Sequence, residues 1–266
     1  MINKMTNPVE TEILKPVKSI LVSQPAPENG KSPFLDLAKE FNIKVDFRPF
    51  IFVQGVEAKE FRKSRIYIEQ YPCVIFTSRN AIENYFRISE EMRVKISEET
   101  KYFCTSEAIA LYLQKYIQYR KRKVFFGDGK LPKLVEIIMK HKDKTDGKFL
   151  LPCSDVRDQG MINMLEQANI NFTEAIMYRT VASDLSDLKD IKYDMLAFFS
   201  PYGIASLFKN FPDFVQDGTR IAVFGNTTAE AAKERQLRLD IIAPTPEYPS
   251  MAGAIKAYLL KANKKK

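Results

Sequence analysis

The sequence predicts an α/β chain built as two parallel-sheet lobes. Two observations carry this reading. Along most of the 266 residues, short and nearly continuous apolar runs alternate with amphipathic stretches, the pattern of strands covered by helices on both faces. The pattern then occurs a second time. Phe76-Thr77-Ser78-Arg79-Asn80-Ala81 and Phe199-Ser200-Pro201-Tyr202-Gly203-Ile204 each follow an apolar run, and each opens a helical pattern.

The first half starts with a strand at Ile20-Leu21-Val22-Ser23, a Pro-rich turn, a helix to Phe41 and an extended segment from Ile43 to Val53. Phe149-Leu150-Leu151-Pro152, a polar turn, a helix to Ala168 and Ile170 to Val181 repeat that layout. In each half a further strand leads into the hydroxyl turn: Val74-Ile75 before Thr77-Ser78, and Met195 to Phe198 before Ser200. Next come Lys101 to Cys104, running into Thr105-Ser106-Glu107-Ala108, and Arg220 to Phe224, running into Asn226-Thr227-Thr228-Ala229. A last strand, Val124 to Phe126 or Leu239 to Ala243, precedes a Pro-containing turn and a closing helix. The segments at 45–53 and 173–181 lie at the junctions and are expected to pair as a two-stranded connector.

A strand that ends in a small hydroxyl residue and turns at once into a helix presents backbone N–H groups without intrahelical partners. Such a terminus binds anions readily, and it is equally the ordinary seat of an N-cap. The four turns lie at strand carboxyl ends, where open α/β sheets hold their ligands. Both readings stay open at this point.

Composition removes several classes of function. Hydrophobic residues make up 45% and charged residues 28%, so a globular chain is expected rather than a disordered one. No apolar run approaches the roughly 20 residues that span a bilayer. Glu10 and Glu12 stand where a signal peptide needs an apolar core, and Cys73, Cys104 and Cys153 are odd in number and far apart. Both features point to a reduced, cytoplasmic protein. The formal charge is +8, and residues 115–148 hold eleven Lys or Arg against four Asp or Glu. That stretch reads as a solvated basic surface, with nucleic-acid binding as the sharper and disfavoured alternative. A single histidine, His141, leaves no triad, Cys-His pair or His-rich metal site, and no GxGxxG or complete phosphate loop is present. Chemistry without imidazole or cofactor is expected to rest on binding, hydrogen bonding and the reactivity of the substrate.

Taken in order, Phe76-Thr77-Ser78 with Ala81, Thr105-Ser106, Leu150-Leu151-Pro152 with Arg157-Asp158, Tyr178-Arg179-Thr180, Phe199-Ser200-Pro201 and Gly225-Asn226-Thr227-Thr228-Ala229 resemble the uroporphyrinogen-III synthases over nearly the whole chain. The resemblance implies two flavodoxin-like or Rossmann-like lobes joined by an antiparallel two-stranded connector. One lobe would comprise 1–47 and 181–266, the other 48–180. It implies a monomeric, cofactor-free and metal-free lyase that closes hydroxymethylbilane, a linear polycarboxylate, to uroporphyrinogen III. Hydroxide leaves to give an azafulvene, ring D attacks through its substituted carbon, and a spiro intermediate recloses with that ring inverted. A transient contact with hydroxymethylbilane synthase is left open.

Tyr178 matches the tyrosine that helps hydroxide leave, with core packing as its plainer role. The substrate-binding residues implied are Thr77, Ser78, Arg79, Asn80, Thr105, Ser106, Ser200, Pro201, Tyr202, Asn226, Thr227 and Thr228. Arg157 and Arg220 join them either as carboxylate partners or as surface ion pairs. Asn226 stands where the family commonly has proline, Arg79 replaces a proline, and Thr105 lacks a preceding glycine. The rival to an enzyme is a bilobal binder of small carboxylate anions without turnover.

Overall fold

A computed structural model describes residues 15–142, 147–156, 158–189 and 191–263. The polar leader at 1–14, the lysines at 264–266 and Arg157 lie outside the described residues. The chain divides into two compact units, one formed by residues up to Phe52 together with Ala182 onward, the other by Val53–Val181.

The first unit is a five-stranded parallel sheet in the order β11-β10-β9-β1-β2. Its strands are β1 (Ser19–Val22), β2 (Lys44–Phe47), β9 (Met195–Phe198), β10 (Arg220–Phe224) and β11 (Ile241–Ala243). Alternation explains its two cores. Ile20, Val22, Met195 and Ala197 face α1 (Pro33–Phe41) and α9 (Met251–Ala262). Leu21, Leu196, Phe198 and Ile221 face α7 (Pro201–Asn210) and α8 (Asn226–Glu234). Each of these eight strand residues is at least nine-tenths buried. A strand clad on both faces cannot alternate apolar with polar, which is why these segments read as unbroken apolar runs.

The second unit has six strands in the order β3-β8-β7-β4-β5-β6. They are β3 (Ile51–Gly55), β4 (Cys73–Phe76), β5 (Lys101–Cys104), β6 (Val124–Phe126), β7 (Phe149–Ser154) and β8 (Phe172–Ala182). Val74, Phe76 and Tyr102 pack toward α3 (Arg79–Glu91) and α4 (Glu107–Tyr112). Cys73, Ile75 and Phe103 pack toward α5 (Leu131–Met139) and α6 (Gln159–Gln167). A short helix, α2 (Ala58–Phe61), follows β3.

The two parallel sheets share one winding. From edge to edge the first unit runs β2-β1-β9-β10-β11 and the second β8-β7-β4-β5-β6. Each is the flavodoxin-like order 2-1-3-4-5, with the second unit circularly permuted relative to the first. The direction of winding reverses between β1 and β9 in one unit, and between β7 and β4 in the other. The hydroxyl turns after β9 and β4 therefore flank the two switch points, which is the physical content of the sequence repeat.

The extended stretch expected over residues 45–53 resolves into two strands. Val45 and Phe47 belong to β2 and pair with β1, and the chain turns at Pro49 before β3. Proline has no N–H to continue the ladder, so the strand breaks there. β3 lies beside β8, with the Ser183 N–H donating to Phe50 and the Val56 N–H to Met177, so the two strands run antiparallel. The boundary between units falls inside both strands. Among the described residues no helix is long and apolar enough to cross a membrane.

Candidate functional site

In the second unit β4 and β7 pair only through Cys73–Phe149 and Val74–Leu150, and no further pairing continues toward their carboxyl ends. A cavity of about 180 Å³ lies beyond that point. Thr77 and Ser78 line it from the β4 turn, Leu151, Cys153 and Ser154 from β7, Glu174 and Tyr178 from β8, and Val156, Asp158, Met161 and Ile162 from α6 and its approach. It is smaller than the roughly 300–1,000 Å³ that encloses a whole drug-sized ligand, so it suits one part of a larger one.

Tyr178 reaches this cavity through an irregularity in β8. Cys153 pairs with Ile176 and Ser154 with Tyr178, so Met177 is an extra residue. The bulge breaks the alternation: Ala175 is buried and Ile176 exposed, yet Met177 and Tyr178 are both buried. Tyr178, 8% exposed, packs its ring in the same core as α3, and its hydroxyl lies 3.2 Å from Ser78 Oγ. Burial pushes the phenol above its usual value of 10.0, Ser78 opposes the shift, and nearby Cys153 adds to it. At neutral pH the group is a protonated phenol, a hydrogen-bond or proton donor.

The hydroxyl turns are made alike but serve differently. Ser78 Oγ accepts the Ala81 N–H at 3.1 Å to cap α3, and Ser200 Oγ accepts the Gly203 N–H at 3.2 Å to cap α7. Thr105 is spent inside the protein: its hydroxyl donates to the Thr77 carbonyl at 3.4 Å, tying the β5 turn to the β4 turn. Ser106 is the N-cap position of α4 but makes no side-chain cap bond. Arg79 opens α3 with its guanidinium 5.2 Å from the centre of the Tyr112 ring, and the Asn80 carbonyl accepts from the Asn84 amide. In the first unit Pro201 and Tyr202 form the first positions of α7, with Tyr202 exposed.

At α8 the N-cap is Gly225 rather than a hydroxyl residue. Its φ of 89° is open to glycine and strained for other residues. Asn226 and Thr227 are exposed, while Thr228 is buried. A Cβ at Gly225 meets nothing within 4 Å. Gly225→Ala is therefore expected to cost about 1 kcal/mol through the backbone alone. Thermal unfolding checks this, and an unchanged midpoint would show that the turn relaxes.

Arg220 does not join the turns. It opens β10 at the amino end of the strand and is 7% exposed. Its guanidinium donates to the carbonyls of Gly218 and Lys15 and to the Tyr258 hydroxyl. β10 separates it from the Gly225 turn by roughly 16 Å of strand rise. The guanidinium is bound into the fold at the amino end of β10 rather than placed beside the turns. His141 is likewise away from the site, with Nδ1 2.9 Å from the Ile137 carbonyl and its ring against Phe125.

Sequence reasoning missed Cys153, Ser154, Asp158 and Glu174 on the cavity wall. Asp158 carries one local signal, an acidic N-cap before an amphipathic run, and its carboxylate does accept the Met161 N–H. The bulge that turns Tyr178 inward left no mark, because Ala175-Ile176-Met177-Tyr178 is apolar throughout.

Two flavodoxin-like units of matched winding, each with a capped helix start at its switch point, define a two-unit α/β protein. The chain belongs to the uroporphyrinogen-III synthase family: the family model for uroporphyrinogen-III synthase HemD matches residues 33–253. It is thereby a cyclising lyase of tetrapyrrole biosynthesis. In fold it is similar to a uroporphyrinogen-III synthetase from Helicobacter pylori (TM-score 0.54, 17% identity, covering 91% of this chain and 98% of that one). It is also similar to a mutant uroporphyrinogen III synthase from Thermus thermophilus (TM-score 0.51, 14% identity, covering 93% and 100%). No curated protein sequence matches the chain.

Proposed function

We propose that the protein closes hydroxymethylbilane to uroporphyrinogen III with inversion of ring D, and that Tyr178 assists departure of the hydroxyl group. The observation that carries the role of Tyr178 is its buried, protonated phenol on the wall of a cavity at a switch point. Loss of hydroxide needs a proton or a strong hydrogen bond at the departing oxygen, and a neutral phenol supplies either. The pyrroles provide the electrons, and ring D then attacks through its substituted carbon. Positioning does the rest, since holding a reactive conformer supplies several kcal/mol without a strong acid or base.

The cavity receives the neutral hydroxymethyl end of the substrate, beside the Tyr178 phenol. Donors of the kind the substrate's carboxylates need stand at the helix starts of each unit taken by itself: Thr77, Arg79, Asn80 and Ser106 in one, and Ser200, Tyr202, Asn226 and Thr227 in the other. The protein works as a cytoplasmic monomer, and any hand-over from hydroxymethylbilane synthase is transient.

The test is to supply freshly made hydroxymethylbilane and resolve the oxidised products by isomer. Type III in excess is the expected result. Only type I, as in the enzyme-free control, would sink the proposal, and tight binding without turnover would favour a carboxylate-binding protein.

A further inference from the structure

Four helices in the described residues start on a serine whose hydroxyl accepts a helix N–H: Ser32 at α1, Ser78 at α3, Ser200 at α7 and Ser250 at α9. Capping asks nothing more of any of them. Among the described residues only Ser78 of these four carries a second side-chain contact, to the Tyr178 hydroxyl, a residue 100 positions away in the chain. The contact needs two separate features of the fold. The switch point brings the β4 turn opposite β7 and β8, and the bulge at Cys153/Ser154 turns Tyr178 toward it.

A serine oxygen that accepts an N–H from the positively polarised end of a helix becomes a better donor through its own O–H. We infer that Ser78 is a positioning residue whose hydroxyl donates to the Tyr178 oxygen, leaving the phenol proton directed at the cavity. The inference rests on the reading of Tyr178 as the donor to the leaving group, and it makes Ser78 part of an internal network rather than a carboxylate contact. In the reaction the phenol proton and the departing hydroxyl leave together as water. The charge left on the Tyr178 oxygen is held by the Ser78 hydroxyl. The proton released when the reclosed pyrrole regains aromaticity then restores the phenol.

Among the described residues, the charged and titratable groups that line the cavity with Tyr178 are Cys153 on β7, Asp158 at the start of α6 and Glu174 on β8. Arg87 of α3 donates to the neighbouring Met177 carbonyl at 3.5 Å, and Arg179 pairs with Glu60 of α2. Ser78 hydrogen-bonds the phenol oxygen directly and is also the group that opposes the burial shift.

The experiment uses the full chain with Ser78→Gly, Ser78→Cys and Ser78→Thr, each alone and combined with Tyr178→Phe. Glycine is tolerated at an N-cap but has no hydroxyl, cysteine keeps the shape with a weak donor, and threonine keeps both functions. In Ser78→Gly we expect kcat for the type III isomer to fall about tenfold or more, with KM within about twofold. The high-pH limb of the rate profile is expected to move upward. So is the Tyr178 phenol titration, read as tyrosinate absorbance minus the matching Tyr178→Phe background. Ser78→Cys should fall between, and Ser78→Thr should restore both readings. A rise in KM with kcat preserved, or a phenol titration that does not move in Ser78→Gly or Ser78→Cys, overturns the inference. Failure of the underlying reading is separate, because Tyr178→Phe alone would then turn over at the unaltered rate.

Discussion

Tyr178→Phe is expected to fold as the unaltered chain does and to lose about 10²-fold or more in kcat for the type III isomer. The ring supplies packing among Ala175, Met177 and the α3 residues of its core, and phenylalanine keeps that surface. What disappears is the one hydroxyl that contacts Ser78 Oγ. Stability should fall by about 1 kcal/mol, the usual net worth of one hydrogen bond. A large loss in kcat with KM nearly constant and the unfolding midpoint lowered by only about 2–4 °C is the signature of an interaction made at the reacting oxygen. Undiminished turnover would reduce Tyr178 to a packing residue.

The same residue sets a pH expectation. The acid form is the working form, so activity falls as pH rises through the phenol's titration. Burial raises that titration above 10.0, so the unaltered enzyme should show no loss from this group across the neutral range. An ionisation with tyrosine character appearing near neutrality would contradict the environment described for β8.

The parallel-sheet fold was legible because its strands are clad on both faces. Val74-Ile75 and Met195 to Phe198 must be apolar on both sides, and unbroken apolar runs bounded by turns are what such strands leave in a sequence. The matched Ser78 and Ser200 turns were legible for a local reason, since capping is decided within three residues. Features that depend on pairing were not. The bulge beside Tyr178 is fixed by how β8 meets β7, and nothing in the apolar run 175–178 signals it. The use of the Thr105 hydroxyl on the Thr77 carbonyl depends on β4 and β5 lying side by side. Thr228 reads as a donor beside Thr227, yet one step around the helix turns it inward.

Arg220 shows the same limit most sharply and gives the second large expectation. In sequence it stands five residues before Gly225, which invites a role in the Asn226-Thr227 turn. A strand of that length instead carries its two ends to opposite edges of the sheet. There the guanidinium is buried and spends its donors on the Gly218 and Lys15 carbonyls and the Tyr258 hydroxyl. Lys15 precedes β1, Gly218 precedes β10 and Tyr258 lies on α9, so one side chain fastens three parts of the first unit. Arg220→Ala removes the charge-assisted bonds and the packing of a nearly buried side chain. The expected loss is about 3 kcal/mol, or roughly 6–12 °C in the unfolding midpoint of that unit. KM for hydroxymethylbilane in the folded fraction should stay within about twofold, because no part of the residue approaches the carboxyl-end turns. A substrate contact makes the opposite prediction: a marked rise in KM with stability nearly intact. Thermal unfolding and KM measured on one preparation therefore separate a fastening residue from a binding one.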